Sequence, residues 1–211
     1  VSEGIRTSGP LPFDAVEARL RERLAARPRG ALGDLEARRP LVPPQDLVPA
    51  AVLVLLERVP GYSMVFTKRT TQVDHHKGEV SFAGGMRDPG DADPRATALR
   101  EAHEEIGVEP RAVTILGELD RLVTVTGFEV TPVVAAVDAG IELRANPAEV
   151  EKVLRVPLHH LRDAGQWFEE ERWWRGEAYR LRSCRFEDCV IWGATSRILQ
   201  NFLEVVPAAL L

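Results

Sequence analysis

Gly84-Gly85 and the later run Arg100-Glu101-Ala102-His103-Glu104-Glu105-Ile106-Gly107-Val108 decide how this chain is read. Pro94 to Ile106 predicts a helix, with Asp93 as N-cap, Pro94 in the first turn and Gly107 as the stop. On that helix Glu101 lies one turn from both Glu104 and Glu105, so three carboxylates share one side. Leu99, Ala102 and Ile106 are left to face a core. Like charges packed this closely repel, whereas hard divalent cations such as Mg2+ or Mn2+ favour such oxygen ligands and leave room for water and a phosphate. Arg100 stands four residues before Glu104 and is placed to hold it by an ion pair. The plainer alternative for the EAHEE string alone is a solvated helix face.

Upstream of the helix, the apolar run Ala50 to Leu56 and the strand-like Met64 to Thr67 flank Pro60-Gly61 and predict a hairpin. Gly78 to Phe82 reads as a third strand. Lys68 and Arg69 leave the second strand just before His75, His76 and Lys77, which sets positive charge near the acidic helix and suits phosphate recognition, Arg69 by bidentate contact. Lys68, Arg69 and His76 are therefore candidate substrate-binding residues, each with an ordinary surface cation or imidazole as its alternative. Gly84 and Gly85 are read as places where the backbone comes close to a metal or phosphate, or as a tight turn.

Further on, Val113 to Leu116, Leu122 to Val125 and Val130 to Val137 predict strands. Pro147 to Leu154 and His159 to Asp163 read as helical pieces, Trp167 to Ile191 as a late hairpin, and Thr195 to Val205 as a closing helix. Trp167, Trp173 and Trp174 suit core or interface packing better than stacking on a base. Before all of this, Val16, Leu20 and Leu24 make an apolar stripe over Phe13 to Arg27, with Arg21, Arg23, Arg27, Arg29, Arg38 and Arg39 read as solvated charge, and Pro40, Pro43 and Pro44 mark a stiff connection. Without a strict βα rhythm, the chain is expected to be α/β with a mixed sheet between helices. Residues 1–46 form a helical arm and Pro-rich connection, and residues 47–211 the main domain.

The bulk properties agree with one domain of 211 residues, 45% apolar and 28% charged. A net charge of -5 argues against wrapping a nucleic-acid backbone, so the expected partner is a small molecule. Cys184 and Cys189 lack metal-site spacing and read as buried thiols in a reducing, cytoplasmic setting. No signal sequence or membrane-spanning run is apparent, so no membrane partner is expected.

Residues 85 to 108, counted from Gly85, resemble the Nudix box, whose pattern is Gly, five residues, Glu, seven residues, then Arg-Glu-apolar-any-Glu-Glu-any-Gly-apolar. Residues 100 to 108 fit every fixed place of the second half. In the first half the acidic position falls on Asp91, and eight residues precede Arg100. Thr67-Lys68-Arg69-Thr70 and His76-Lys77-Gly78-Glu79-Val80-Ser81-Phe82-Ala83-Gly84-Gly85 are similar to the extended signature of the coenzyme A pyrophosphatase branch, as is the longer loop Asp88 to Asp93. Ala83 and Asp74 depart from it. Weaker likeness continues through Asn146-Pro147-Ala148-Glu149-Val150, Val156-Pro157-Leu158 and Ile191-Trp192-Gly193-Ala194-Thr195.

The resemblance implies a Nudix-like α/β/α sandwich with a mixed β-sheet and a metal-dependent cut of a diphosphate bridge. Coenzyme A or acyl-coenzyme A would give 3',5'-ADP and 4'-phosphopantetheine or its acyl form. It assigns the metals to Glu101, Glu104, Glu105 and Gly85, substrate contacts to Lys68, Arg69, His76 and Gly84, and catalysis to Arg100, Glu104 and Glu149. Glu149 and Glu104 both remain open as general base, a helix-dipole role is open for Glu149, and the protein is expected as a monomer or homodimer. Two other readings stand beside it: the same cut on ADP-ribose or a dinucleotide, and a non-catalytic Nudix-like sensing module, which the three retained carboxylates disfavour.

Overall fold

The computed structural model describes residues 11–27, 30–33, 43–70, 78–174 and 176–208. In chain order the elements are α1 (Phe13–Ala26), β1 (Ala31–Gly33), β2 (Val48–Arg58), β3 (Ser63–Arg69), β4 (Val80–Ser81), β5 (Ala83–Met86), α2 (Pro94–Ile106), β6 (Thr114–Glu118), β7 (Arg121–Val123) and β8 (Phe128–Asp138). They continue with β9 (Val150–Pro157), α3 (Leu158–Arg162), β10 (Trp167–Trp174), β11 (Glu177–Phe186), β12 (Cys189–Ile191) and α4 (Gly193–Val205).

Strands β2 and β8 form the spine, running parallel in unbroken register from Val48 opposite Phe128 to Arg58 opposite Asp138. A strand buried on both faces reads as a continuous apolar run, which is why Ala50 to Leu56 carries no polar alternation. The faces still separate by parity. Ala51, Leu53, Leu55, Val133, Ala135 and Val137 pack with Ala98, Ala102 and Ile106 of α2. Val54, Leu56, Val134 and Ala136 pack in the opposite cluster with Val16, Leu20 and Leu24 of α1 and Ile198, Leu199 and Phe202 of α4. The result is a mixed sheet with helices on both faces, the α/β architecture expected. Leu20 is wholly buried there, so its truncation to Ala would cost about 2–5 kcal/mol.

Several local expectations are corrected. Pro147 to Leu154 is not helical: a turn over residues 146–149 leads into β9, which pairs antiparallel with β3. Val150, Leu154 and Val156 are buried there, and burial of a β-branched strand outweighs a helix start at Pro147. The late hairpin is three strands, β10-β11-β12, in a separate antiparallel sheet. Gly78 to Phe82 resolves into β4 pairing β3, followed by β5 pairing β2. The connection after α1 includes β1, which pairs parallel with β7.

The solvated reading of the front charges holds only in part. Arg27 pairs with the buried Asp120 and Arg23 donates to the Val205 carbonyl, while Arg29, Arg38 and Arg39 lie outside the described residues. Trp167 donates to the Leu161 carbonyl at 2.8 Å, whereas Trp173 is exposed. Cys184 and Cys189 are free and buried, and burial pushes the Cys184 thiol up to about 11. No helix among the described residues is long and apolar enough to cross a membrane.

Candidate active site

Helix α2 starts and stops where its sequence dictates. The Asp93 carboxylate accepts from the Arg95 and Ala96 amides at 2.9 Å, and Gly107 ends the helix with φ of 68°. Burial of Ala98, Ala102 and Ile106 then fixes its rotation against the sheet and turns Glu101 and Glu105 toward β5. Glu105 is buried, Glu101 half-buried and Glu104 exposed.

The two glycines of β5 are demanded by sterics rather than by a turn. A β-carbon on Gly85 would lie 2.5 Å from Glu101 Oε1, so this strand position is a seat for that carboxylate. On Gly84 it would lie 2.4 Å from the Ala51 carbonyl oxygen, which makes Gly84 first a requirement of the β2-β5 contact.

Arg100 ties the site together. Its Nη1 donates to Glu101 Oε1 at 2.9 Å and Glu104 Oε2 at 3.0 Å, and its Nη2 to the Met86 carbonyl and Asp91 Oδ2, each at 3.0 Å. The expected Arg100–Glu104 pair is thus one arm of a wider clamp. Asp91 is buried, and Arg100, aided by the Asp88 amide at 2.9 Å, holds its carboxyl down to about 2. Its side chain is spent on Arg100 rather than aimed among the helix carboxylates. Sequence reasoning missed Arg87, which donates to the Asp91 and Ala92 carbonyls and stitches the same loop. An arginine set among Asp88, Asp91 and Asp93 was the available signal.

On the inner side, Arg69 Nη1 stands 3.4 Å from Glu105 Oε1, while Arg69 Nε and Glu105 Oε2 are buried without a hydrogen-bond partner among the described residues. Burial pushes Glu105 up to about 8; Arg69 opposes the shift, and Glu149 and Glu101 add to it. Glu101 is raised by burial too, with Arg100 opposing and Glu104 and Glu149 adding. Glu149 reaches this neighbourhood because the Asn146 amide donates to the Glu105 carbonyl at 2.8 Å and the Thr70 amide to the Glu149 carbonyl at 2.9 Å. It belongs to a turn, so the helix-dipole role is not realised.

Lys68 is not brought to the carboxylates. It alternates with Arg69 along β3 and pairs with Glu151 at 2.8 Å, near Asp188 and Cys189. His76, with His75 and Lys77, lies outside the described residues.

The buried Glu105 carboxylate oxygen without a partner among the described residues, beside the Glu101 carboxylate seated on Gly85, suits a hard cation. No group of three His, Cys, Asp or Glu side chains among the described residues is arranged to hold a metal alone.

A family model described as NUDIX domain matches residues 47–180. The chain belongs to the Nudix family. It is 37% identical over 152 residues to "Uncharacterized Nudix hydrolase NudL" of Salmonella paratyphi B, covering 72% of this chain and 79% of the relative, with the same figures for NudL of Salmonella newport. Among solved structures, a Nudix hydrolase from M. smegmatis, RenU, aligns with a TM-score of 0.45 and 23% identity over 55% of this chain and 74% of that one. A MutT/nudix family protein from Enterococcus faecalis aligns at 0.47 and 16% identity over 80% and 66%. Membership rests on the family match and the NudL relatives. This Nudix chain is accordingly a pyrophosphohydrolase of nucleoside diphosphate derivatives, in a family that generally uses divalent metal ions such as Mg2+ or Mn2+.

Proposed function

We propose that this chain hydrolyses the diphosphate bridge of coenzyme A or acyl-coenzyme A, releasing 3',5'-ADP and 4'-phosphopantetheine or its acyl form. The observation that carries this reading is the union of its two signature segments at one place. The Arg69 amide donates to the Glu79 carbonyl at 2.9 Å and the Gly78 amide to the Arg69 carbonyl at 3.2 Å, so Thr67 to Thr70 and Gly78 to Gly85 meet beside Glu105. His76 and Lys77 fall in the sequence between those two ends, where an extra 3'-phosphate would find positive charge.

In this reading Glu101, Glu104 and Glu105, with the Gly85 carbonyl, hold Mg2+ or Mn2+. Such an ion offsets diphosphate charge and makes water more acidic. Arg69, whose Nε has no partner among the described residues, supplies a donor to a phosphate oxygen. Glu149 takes the proton of the attacking water, with Glu104 as the alternative base. Arg100 acts through Glu101 and Glu104, holding both carboxylates in place as a positioning residue. Residues 47–211 form the catalytic domain, and α1, which precedes it in the chain, packs on its sheet.

Product analysis by mass spectrometry on coenzyme A, dephospho-coenzyme A, ADP-ribose and NADH tests the proposal. Coenzyme A is expected to be cut within its diphosphate and to outperform dephospho-coenzyme A. A higher kcat/KM for ADP-ribose would overturn the substrate assignment and leave the Nudix chemistry standing.

A further inference from the structure

A helix leaves its last carbonyls without amides of its own, and at the end of α2 the chain between β8 and β9 takes them. The Arg144 amide donates to the Ile106 carbonyl and the Asn146 amide to the Glu105 carbonyl, both at 2.8 Å. Gly107, at a φ of 68°, turns its own chain aside and leaves those carbonyls open to the incoming segment. The backbone of Glu105 therefore anchors the turn that carries Glu149.

Asn146 does more than dock this segment. Its carbonyl accepts from the Glu149 amide at 3.0 Å and the Val150 amide at 2.8 Å, and its side-chain Oδ1 from the Ala148 amide at 3.1 Å. An asparagine that accepts from the amide two residues on closes an Asx turn, and Pro147 between the two partners has its φ fixed by its ring. At the far end the Thr70 amide, next to Arg69, donates to the Glu149 carbonyl at 2.9 Å. Glu149 is thus bracketed between the helix that carries Glu105 and the strand end that carries Arg69, two side chains that themselves stand 3.4 Å apart.

We infer that Asn146 is a positioning residue for the hydrolysis, its Asx turn setting how Glu149 is presented to Glu101 and Glu105. The inference rests on the reading of Glu149 as general base. Main-chain bonds hold the turn to α2 and to the end of β3, while Oδ1 fixes the Pro147-Ala148 stretch just before Glu149. Removing Oδ1 therefore loosens the aim of Glu149 rather than the fold. A proton acceptor must stand within hydrogen-bond reach of its water, and a displacement of about 1 Å can cost up to about a hundredfold in rate.

Kinetics of Asn146→Ala, Asn146→Asp, Glu149→Gln and the double variant Asn146→Ala with Glu149→Gln test this, on saturating coenzyme A, or ADP-ribose where that is cut faster. Asn146→Ala is expected to lower kcat by about fivefold or more, with KM and Mn2+ affinity within about twofold of the parent. Asn146→Asp, whose carboxylate accepts from the same amide, keeps kcat within about twofold. In the double variant kcat stays within about twofold of Glu149→Gln alone, because the turn aims nothing once the proton acceptor is gone. Where Asn146→Ala does not fold, Asn146→Ser, with a weaker acceptor at the same place, carries the same comparison. Parent-like kcat in Asn146→Ala, an equal loss in Asn146→Asp, or losses that multiply in the double variant overturn the inference, while a roughly tenfold loss in Glu149→Gln still upholds the base reading. Near-parent kcat in Glu149→Gln overturns both.

Discussion

The Glu101 carboxylate rests on Gly85 so closely that a β-carbon there would stand 2.5 Å from its Oε1 and 2.7 Å from its Oε2. The obstructed group is the far end of a flexible side chain, so Gly85→Ala is expected to displace the carboxylate and spare the fold. Turnover should fall by roughly tenfold or more with weaker metal affinity, and the melting temperature should shift by no more than a few degrees. Gly84→Ala presses on the backbone of Ala51 and Val52 instead, and is expected to lower stability by about 1–3 kcal/mol. Kinetics and thermal melts of the two variants side by side check the contrast; equal loss of stability in both would refute the seat.

Asp91 offers a pH test of the Arg100 clamp. Its folded carboxyl sits at about 2, below the ordinary carboxylate range, because Arg100 and the Asp88 amide favour the charged form. A depressed acid stabilises the fold above its unfolded pKa, and that contribution is lost as pH falls through the folded value. The melting-temperature gap between parent and Asp91→Asn should therefore be full at pH 6 and close between about pH 4 and pH 2. A gap that does not change with pH would mean that Asp91 acts by shape alone.

How much of this was legible in the sequence follows from the range of the forces involved. The cap of α2, its glycine stop, the rotation of its carboxylates and the Arg100–Glu104 pair are local, and spacing alone revealed them. The β2-β3 hairpin was equally plain from Pro60-Gly61. Residues 147–154 misled because a proline followed by an acid is a good helix start, and only the pairing of Val150 to Pro157 with β3, a distant partner, makes that segment a strand. The same distance hid Gly84, whose reason lies in Ala51 and Val52, and Arg87, whose partners are carbonyls. Lys68 and Arg69 looked like one basic pair, yet strand alternation sends them to opposite faces.

Removing metal should expose the state of Glu105. Burial raises its folded pKa to about 8, so the metal-free fold holds a proton there at neutral pH, and its stability falls as pH rises from the ordinary carboxylate range through that value. A cation takes the place of that proton. Calorimetric titration of Mn2+ in buffers of different ionisation enthalpy is expected to show up to about one proton released at pH 7 and almost none at pH 9.5. Glu105→Gln should abolish the release and lower turnover by roughly a hundredfold or more. Pairwise equal heats in all buffers at pH 7 would count against Glu105 as a ligand.

Glu149 supplies the last prediction, since two carboxylates compete for the role of general base. Glu104 is exposed and held by Arg100 at 3.0 Å, which spends one of its oxygens on the arginine. Glu149 comes from outside the helix, on a turn tied to the end of α2 through the Asn146 amide and to β3 through the Thr70 amide. Its charge is close enough to help raise both Glu101 and Glu105, and among the described residues it is not bound into the Arg100 clamp. Glu149→Gln keeps the turn, which is held by backbone bonds, and removes only the proton acceptor. We expect kcat to drop by roughly tenfold or more, KM and Mn2+ affinity to stay within a few-fold, and the acidic limb of the pH–kcat profile to change shape. The same measurements on Glu104→Gln should show metal affinity and kcat falling together, because that group is assigned to the metal. A Glu149→Gln variant with near-parent kcat would pass the base role to Glu104 or show that the water needs no protein base.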